Sequence, residues 1–183
     1  VLRTPGTRLQ KVVEYMRILD ISMPITENMN VYKDNAAKRP VITLASDFST
    51  GSTHETKIEM NVHTGTHIDM PLHILENGKT IENMDLEKVL TKCKVFDFTH
   101  VEEKISVEHL SGKSISEGDF ILLKTKNSLV QNPGKNFIYL DKSGAKYLAD
   151  KKVCGVGIDS LGIERNQPGH ETHKILLSSE IVI

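Results

Sequence analysis

Residues 63–73 read His-Thr-Gly-Thr-His-Ile-Asp-Met-Pro-Leu-His, a string that no regular element accommodates. Thr64, Thr66 and Ile68 are β-branched, Gly65 is a poor helix former and Pro71 would break the third turn, so a helix is disfavoured. An extended chain would place positions 63, 67, 69 and 73 on one side, since all four are odd. Yet four residues of strand span roughly 13 Å, at about 3.3 Å each. Two side chains bonded to one ion at about 2.0–2.2 Å cannot have bases so far apart. The chain must fold back between His63 and His67 if both bind one ion. Gly65 permits that bend, because it takes φ > 0 without penalty. Pro71 then fixes the backbone before His73.

Three imidazoles and a carboxylate form a ligand set suited to zinc, manganese or iron. A lone histidine in a loop is an ordinary polar residue. Three with an aspartate on one parity around a glycine bend point to a metal site. A catalytic site also needs an open coordination position and a group that handles protons. With His63, His67 and Asp69 as ligands, His73 is left for that work, its ordinary pKa of about 6.5 suiting acid–base chemistry near neutrality.

Around this segment the chain reads as short strands separated by turn residues. Strands are expected at Ile18–Ser22, Val41–Ala45, Thr56–Val62, Val95–Phe98, Phe120–Lys124, Phe137–Leu140 and Val153–Ile158, with a last run at Ile181–Ile183. Thr56–Val62 alternates, with Ile58, Met60 and Val62 on one face. Helical signals are fewer: Asp85–Leu90 is short and amphipathic, Ser106–Leu110 reads as a capped turn, and Ser143–Lys151 is a helix with Ser143 as N-cap. Residues 127–136, with Pro133-Gly134 inside them, read as a surface loop. The helices are too few to cover both faces of a doubly wound sheet, so the fold class is a mixed, strand-rich α/β domain.

A length of 183 residues suits one domain. Lysines and arginines number 23 against 24 aspartates and glutamates, which leaves no electrostatic footprint for nucleic acid. No apolar run approaches the roughly 20 residues of a membrane span. Two scattered cysteines, Cys93 and Cys154, read as buried thiols of a reducing compartment, and a cytoplasmic location is expected. Residues 1–15 carry Arg3, Arg8 and Lys11 against the single acid Glu14 and read as a peripheral or appended segment. The domain is expected to occupy residues 16–183.

The string His63 to His73 resembles the signature of the cyclase-like metal-dependent hydrolases, which include bacterial kynurenine formamidase and isatin hydrolase. Similarity extends from Leu19-Asp20-Ile21-Ser22 through Gly157-Ile158-Asp159-Ser160 to His173-Lys174-Ile175-Leu176-Leu177. The resemblance implies a swivelling β/β/α-type single domain holding one or two divalent ions, Zn2+ or Mn2+. Carried over by position, it makes His63, His67 and Asp69 metal ligands, His73 the catalytic histidine and His173 a further ligand. A glutamate ligand is expected about twelve residues beyond His173, past Ile183, and Glu180 is too close to match it. Homodimers or homotetramers are implied as well.

The resulting expectation is hydrolysis of a formamide or other amide C–N bond in a small molecule. Its rivals are a cyclic amide or lactone hydrolase of the same family and a non-catalytic metal-binding or scaffold protein. The absence of Trp, with five Phe and four Tyr, weighs against a strongly aromatic substrate pocket. His170 and Glu171 are weaker ligand candidates near His173 and read first as polar loop residues. The resemblance would let Asp159 line the site, though an Asp ending a strand is as commonly a turn former. His54, His100 and His109 read as ordinary surface residues.

Overall fold

A computed structural model describes residues 18–130 and 134–183; the expected peripheral segment 1–15 lies outside them. In chain order the elements are β1 (Val41–Ser46), β2 (Glu55–Glu59), β3 (Cys93–Asp97), β4 (Lys104–Ile105), α1 (Val107–Leu110), β5 (Phe120–Lys124), β6 (Tyr139–Leu140), α2 (Lys142–Asp150), β7 (Gly155–Ile158) and α3 (Glu171–Ser178), with several single 3-10 turns between them. The result is the expected mixed α/β class, built from parallel and antiparallel pieces.

The centre is a parallel sheet in the order β3-β5-β7. Parallel neighbours need crossover connections, and these carry α1 and α2. On β5, Ile121 and Leu123 are fully buried. They meet Leu110 of α1, Ala145 and Leu148 of α2 and Leu176 of α3 in one apolar core. Burying each such leucine contributes about 1.5–3 kcal/mol. On the opposite face Phe120 lies across β7 so closely that a Cβ on Gly155 would come within 2.2 Å of its ring. Beside this sheet β4 and β6 form a short parallel pair, while β1 and β2 form a separate antiparallel hairpin with Ile42 opposite Ile58.

Several expected elements are redrawn. Ile18–Ser22 is not a strand: it pairs with no described strand, and Asp20 Oδ1 accepts the Ser22 N–H at 2.9 Å, a local turn that competes with extension. The second strand starts at Glu55 and ends at Glu59, before the histidine segment begins to bend. Asp85–Leu90 makes only one 3-10 turn, Leu86–Lys88. The α2 helix begins at Lys142 because Asp141, rather than Ser143, is the N-cap; its Oδ1 accepts the N–H groups of Ser143 and Gly144. The loop after β5 opens with a 3-10 turn, Lys126–Leu129, and the Asn127 side chain is buried, bonded both ways to the backbone of Ile138. Both cysteines are free thiols, and Cys93 is exposed at the start of β3 rather than buried. Among the described residues no helix is long and apolar enough to cross a membrane.

Two packing relationships place the site. The α3 helix lies against α2 and carries His173 on its buried side. Val182 extends the parallel sheet by one bridge to Gly155, receiving the Val156 N–H at 2.8 Å and donating to Cys154. The next residue, Ile183, accepts the Asp69 N–H at 3.0 Å and so ties the histidine segment to the sheet edge.

Candidate metal centre

After β2 the backbone turns sharply through residues 62–66, and Gly65 takes φ +75°, the left-handed conformation the bend requires. A side chain there would also collide with Met29, whose Cε lies 2.8 Å from the position of a Cβ. The loop is pinned outside the turn: Thr64 Oγ1 donates to the Lys38 carbonyl at 3.1 Å, and the Met23 N–H donates to Thr66 Oγ1 at 3.0 Å. Pro71 opens a 3-10 turn over Pro71–His73, which swings His73 back towards the other imidazoles.

These constraints bring every expected site residue together. The Asp69 carboxylate is the hub. Its Oδ1 faces His63 Nδ1 at 2.8 Å and His67 Nε2 at 3.4 Å, and its Oδ2 faces His173 Nε2 at 3.5 Å. The ring centroid of His73 lies 4.0 Å from that of His63 and 5.6 Å from that of His173. Two overlapping groups of donors result, His63/His67/Asp69 and Asp69/His73/His173, each with its ligand atoms within 4.8 Å of one another.

The donor set fits a divalent cation. Two ligands of a tetrahedral ion bonded at about 2.0–2.2 Å lie roughly 3.3–3.6 Å apart, and the His67–Asp69 and His173–Asp69 separations fall in that range. The 2.8 Å His63–Asp69 contact is a hydrogen bond that must open by about half an ångström to seat an ion. His67 Nδ1–H donates to the Gly65 carbonyl at 2.7 Å, a second hydrogen bond that turns Nε2 towards Asp69. No cysteine joins either group, so the donors are nitrogen and oxygen only, a set that suits zinc and manganese.

Electrostatics follow from this crowding. Burial pushes the Asp69 carboxyl up, but His173 and His67 outweigh it and hold the group well below the usual carboxylate range. The Asp69 carboxylate raises His67, against burial. Burial also opposes protonation of His173, yet its contacts with Asp69 and Glu164 push it up to about 9. Burial lowers His73, and the neighbouring His63, His173 and His67 lower it further against the pull of Asp69. Near neutrality, in the protein without metal, His173 is therefore a charged donor and His73 a neutral base.

The structure adds Glu164, which the sequence reading missed. Its buried carboxylate accepts from His173 Nδ1 and, through Oε2, from the Thr172 N–H at 2.9 Å and Gln167 Nε2 at 2.7 Å. An acid nine positions before His173 has no helical or strand periodicity with it, so only the folded loop brings the two together. Asp159 takes another part: its carboxylate receives Thr125 N–H and Oγ1–H, clamping the end of β5 to the end of β7. His109 closes a capping box with Ser106 at the start of α1.

Comparison with known proteins places the chain in a family. Residues 19–165 match the model of the "Putative cyclase" family. The chain belongs to that cyclase family. It is 26% identical over 142 residues to a kynurenine formamidase of Bacillus thuringiensis subsp. konkukian, covering 77% of this chain and 67% of that protein. A solved structure of a potential metal-dependent hydrolase with cyclase activity is 45% identical and superposes with a TM-score of 0.82 over 90% of this chain and 78% of its own. Isatin hydrolase A from Labrenzia aggregata shares the fold at 18% identity, with a TM-score of 0.76 over 91% of this chain and 78% of its own. The cyclase fold thus accounts for the architecture, and the His63–His73 loop with α3 forms its most concentrated group of metal-type donors among the described residues.

Proposed function

We propose that this cyclase-family chain is a metal-dependent hydrolase of an amide C–N bond in a small molecule, with a formamide as the favoured substrate class. One observation carries the reading: a buried carboxylate, Asp69, stands between two sets of imidazoles, with a solvent-reachable histidine, His73, beside both. In this reading His63, His67 and Asp69 hold one divalent cation, zinc or manganese, and Asp69 with His173 offers a second position. A cation bound there supplies a Lewis acid that acidifies water and polarises a carbonyl.

The chain's own residues do the rest. Water adds to the amide carbon and the C–N bond breaks. His73 takes the proton from the water and passes it to the leaving nitrogen, so the imidazole ends as it began. Its lowered pKa keeps it in the accepting form near neutral pH. Asp69 neutralises positive charge and accepts the imidazole N–H groups when the cation is absent. A cavity of about 120 Å³ beside Asp69 is bordered by Met70, Pro71 and Leu177 and by the charged Lys79, Lys88 and Glu180, and none of the cluster's imidazoles lines it. The kynurenine formamidase relative favours the formamide, while isatin hydrolase makes a cyclic amide the runner-up.

The test combines elemental analysis of protein purified without an affinity metal column with a hydrolysis screen of aryl formamides, cyclic amides and lactones. About one or more equivalents of zinc or manganese, with turnover on one amide class, supports the reading. No metal after reconstitution, and no turnover, overturns it.

A further inference from the structure

His173 is held from both sides. Its Nε2 points at Asp69 Oδ2, 3.5 Å away, and its Nδ1 at Glu164 Oε1. The side chains of His173 and Glu164 are 9% and 3% exposed, so water competes little for either. Glu164 also makes a third grouping of metal-type donors, with His170 and His173. Its oxygens are already committed, however. Oε2 accepts two N–H groups, from Thr172 and Gln167, and Oε1 accepts from His173 while facing His170 Nδ1 at 3.6 Å. A carboxylate offers about four lone-pair sites, and these neighbours take nearly all of them. His170 is largely exposed and sits at φ +55° in front of α3.

We infer that Glu164 is a positioning residue rather than a ligand: by accepting a hydrogen bond from His173 Nδ1–H, it fixes the ring so that Nε2 presents its lone pair beside Asp69, at the second cation position. A histidine ligand whose remote nitrogen donates to a carboxylate has its tautomer and ring orientation set by that partner, and its basicity raised. Thr172 and Gln167 hold the carboxylate in turn, and the Thr172 hydroxyl donates to the Leu140 carbonyl at 3.0 Å, anchoring the arrangement to β6. The inference rests on the metal-centre reading above. It competes with a simpler role, since Glu164 also accepts an N–H from the first turn of α3 and acts there as a helix cap. A cap alone would alter the stability of α3 and leave ring orientation and cation affinity unchanged.

The experiment uses the full chain with zinc as the probe, comparing wild type, Glu164→Gln and Glu164→Ala. Equilibrium dialysis reads zinc per chain and affinity, and long-range 1H–15N spectra of the zinc-loaded protein read which nitrogen of His173 carries the proton. Wild type is expected to bind two equivalents, with His173 protonated at Nδ1. Glu164→Ala should keep the tighter equivalent and weaken the other by about 10–100-fold. Glu164→Gln retains an acceptor oxygen and should preserve the tautomer, with a smaller loss. Equal affinity for both equivalents in all three proteins, or zinc on Nδ1 of His173 in wild type, overturns the role of Glu164. A single equivalent in wild type does the same. Failure to bind zinc at all overturns the metal-centre reading itself. Melting curves followed by circular dichroism identify a variant that fails to fold, and Glu164→Gln, being isosteric, then decides the matter.

Discussion

The Asp69 backbone N–H donates to the Ile183 carbonyl at 3.0 Å, joining residues 114 positions apart. The carboxylate at the middle of the histidine cluster is thereby fixed to a segment that itself bridges to β7 through Val182. Ile181, next to that bridge, is 2% exposed and belongs to the main core. Ile181→Ala should cost about 2–4 kcal/mol through the cavity it leaves. It should also loosen the anchor of Asp69, so that zinc affinity falls together with stability. Denaturant unfolding and zinc titration of the same variant check the pairing; a stability loss with unchanged affinity would show that the anchor is dispensable.

Gly65 joins a backbone requirement to a steric one. Its φ of +75° is costly for any other residue, and a Cβ would meet Met29 Cε at 2.8 Å. Its carbonyl also accepts the His67 Nδ1–H. Gly65→Ala should therefore destabilise the fold by about 1–2 kcal/mol and misdirect His67. Zinc binding is expected to weaken more than the stability loss alone explains, which dialysis at a temperature well below the melting point would reveal.

His67 and His73 lie in the same cluster and should fail differently. His67→Ala removes a ligand of the His63/His67/Asp69 group, and the affinity of that position should fall by more than about 100-fold, beyond the effect of losing a supporting hydrogen bond. His73→Ala should retain zinc and lose turnover by about 10²–10⁴-fold, as for a lost general acid–base group. His73 also stands in the Asp69/His73/His173 group, so zinc content decides its role. Loss of one equivalent from His73→Ala would make it a ligand.

Much of this centre was legible in the sequence because its donors fall within one short segment. Parity and span in residues 63–73 required a reversal at Gly65, and the observed φ there is the conformation that a reversal needs. The strand at Phe120–Lys124 was equally readable, since a continuous apolar run bounded by polar residues is what a central parallel strand requires. The role of His173 came from resemblance alone, because neither its spacing nor its neighbours mark it as a ligand. Glu164 was invisible for the same physical reason: a loop of no fixed period carries it to the N-terminus of α3. Ile18–Ser22 misled because a short strand-like run becomes a strand only with a partner, and the folded chain supplies none among the described residues.

Protonation of His173 links the site to stability in the metal-free protein. Its folded pKa, about 9, lies above the ordinary value of about 6.5. A group whose pKa is raised on folding stabilises the folded state fully below its unfolded pKa, and that contribution is lost as pH rises through the folded value. With metal removed by a chelator, the melting temperature should therefore fall between about pH 6.5 and pH 9. Zinc needs the deprotonated Nε2, so its affinity should rise over the same interval as the proton it displaces becomes easier to remove. Added zinc should then offset the loss most strongly at the alkaline end. Thermal melts at a series of pH values, with chelator and with zinc, check both slopes. A metal-free melting temperature that rises through this interval would mean that the raised pKa of His173 does not govern alkaline stability.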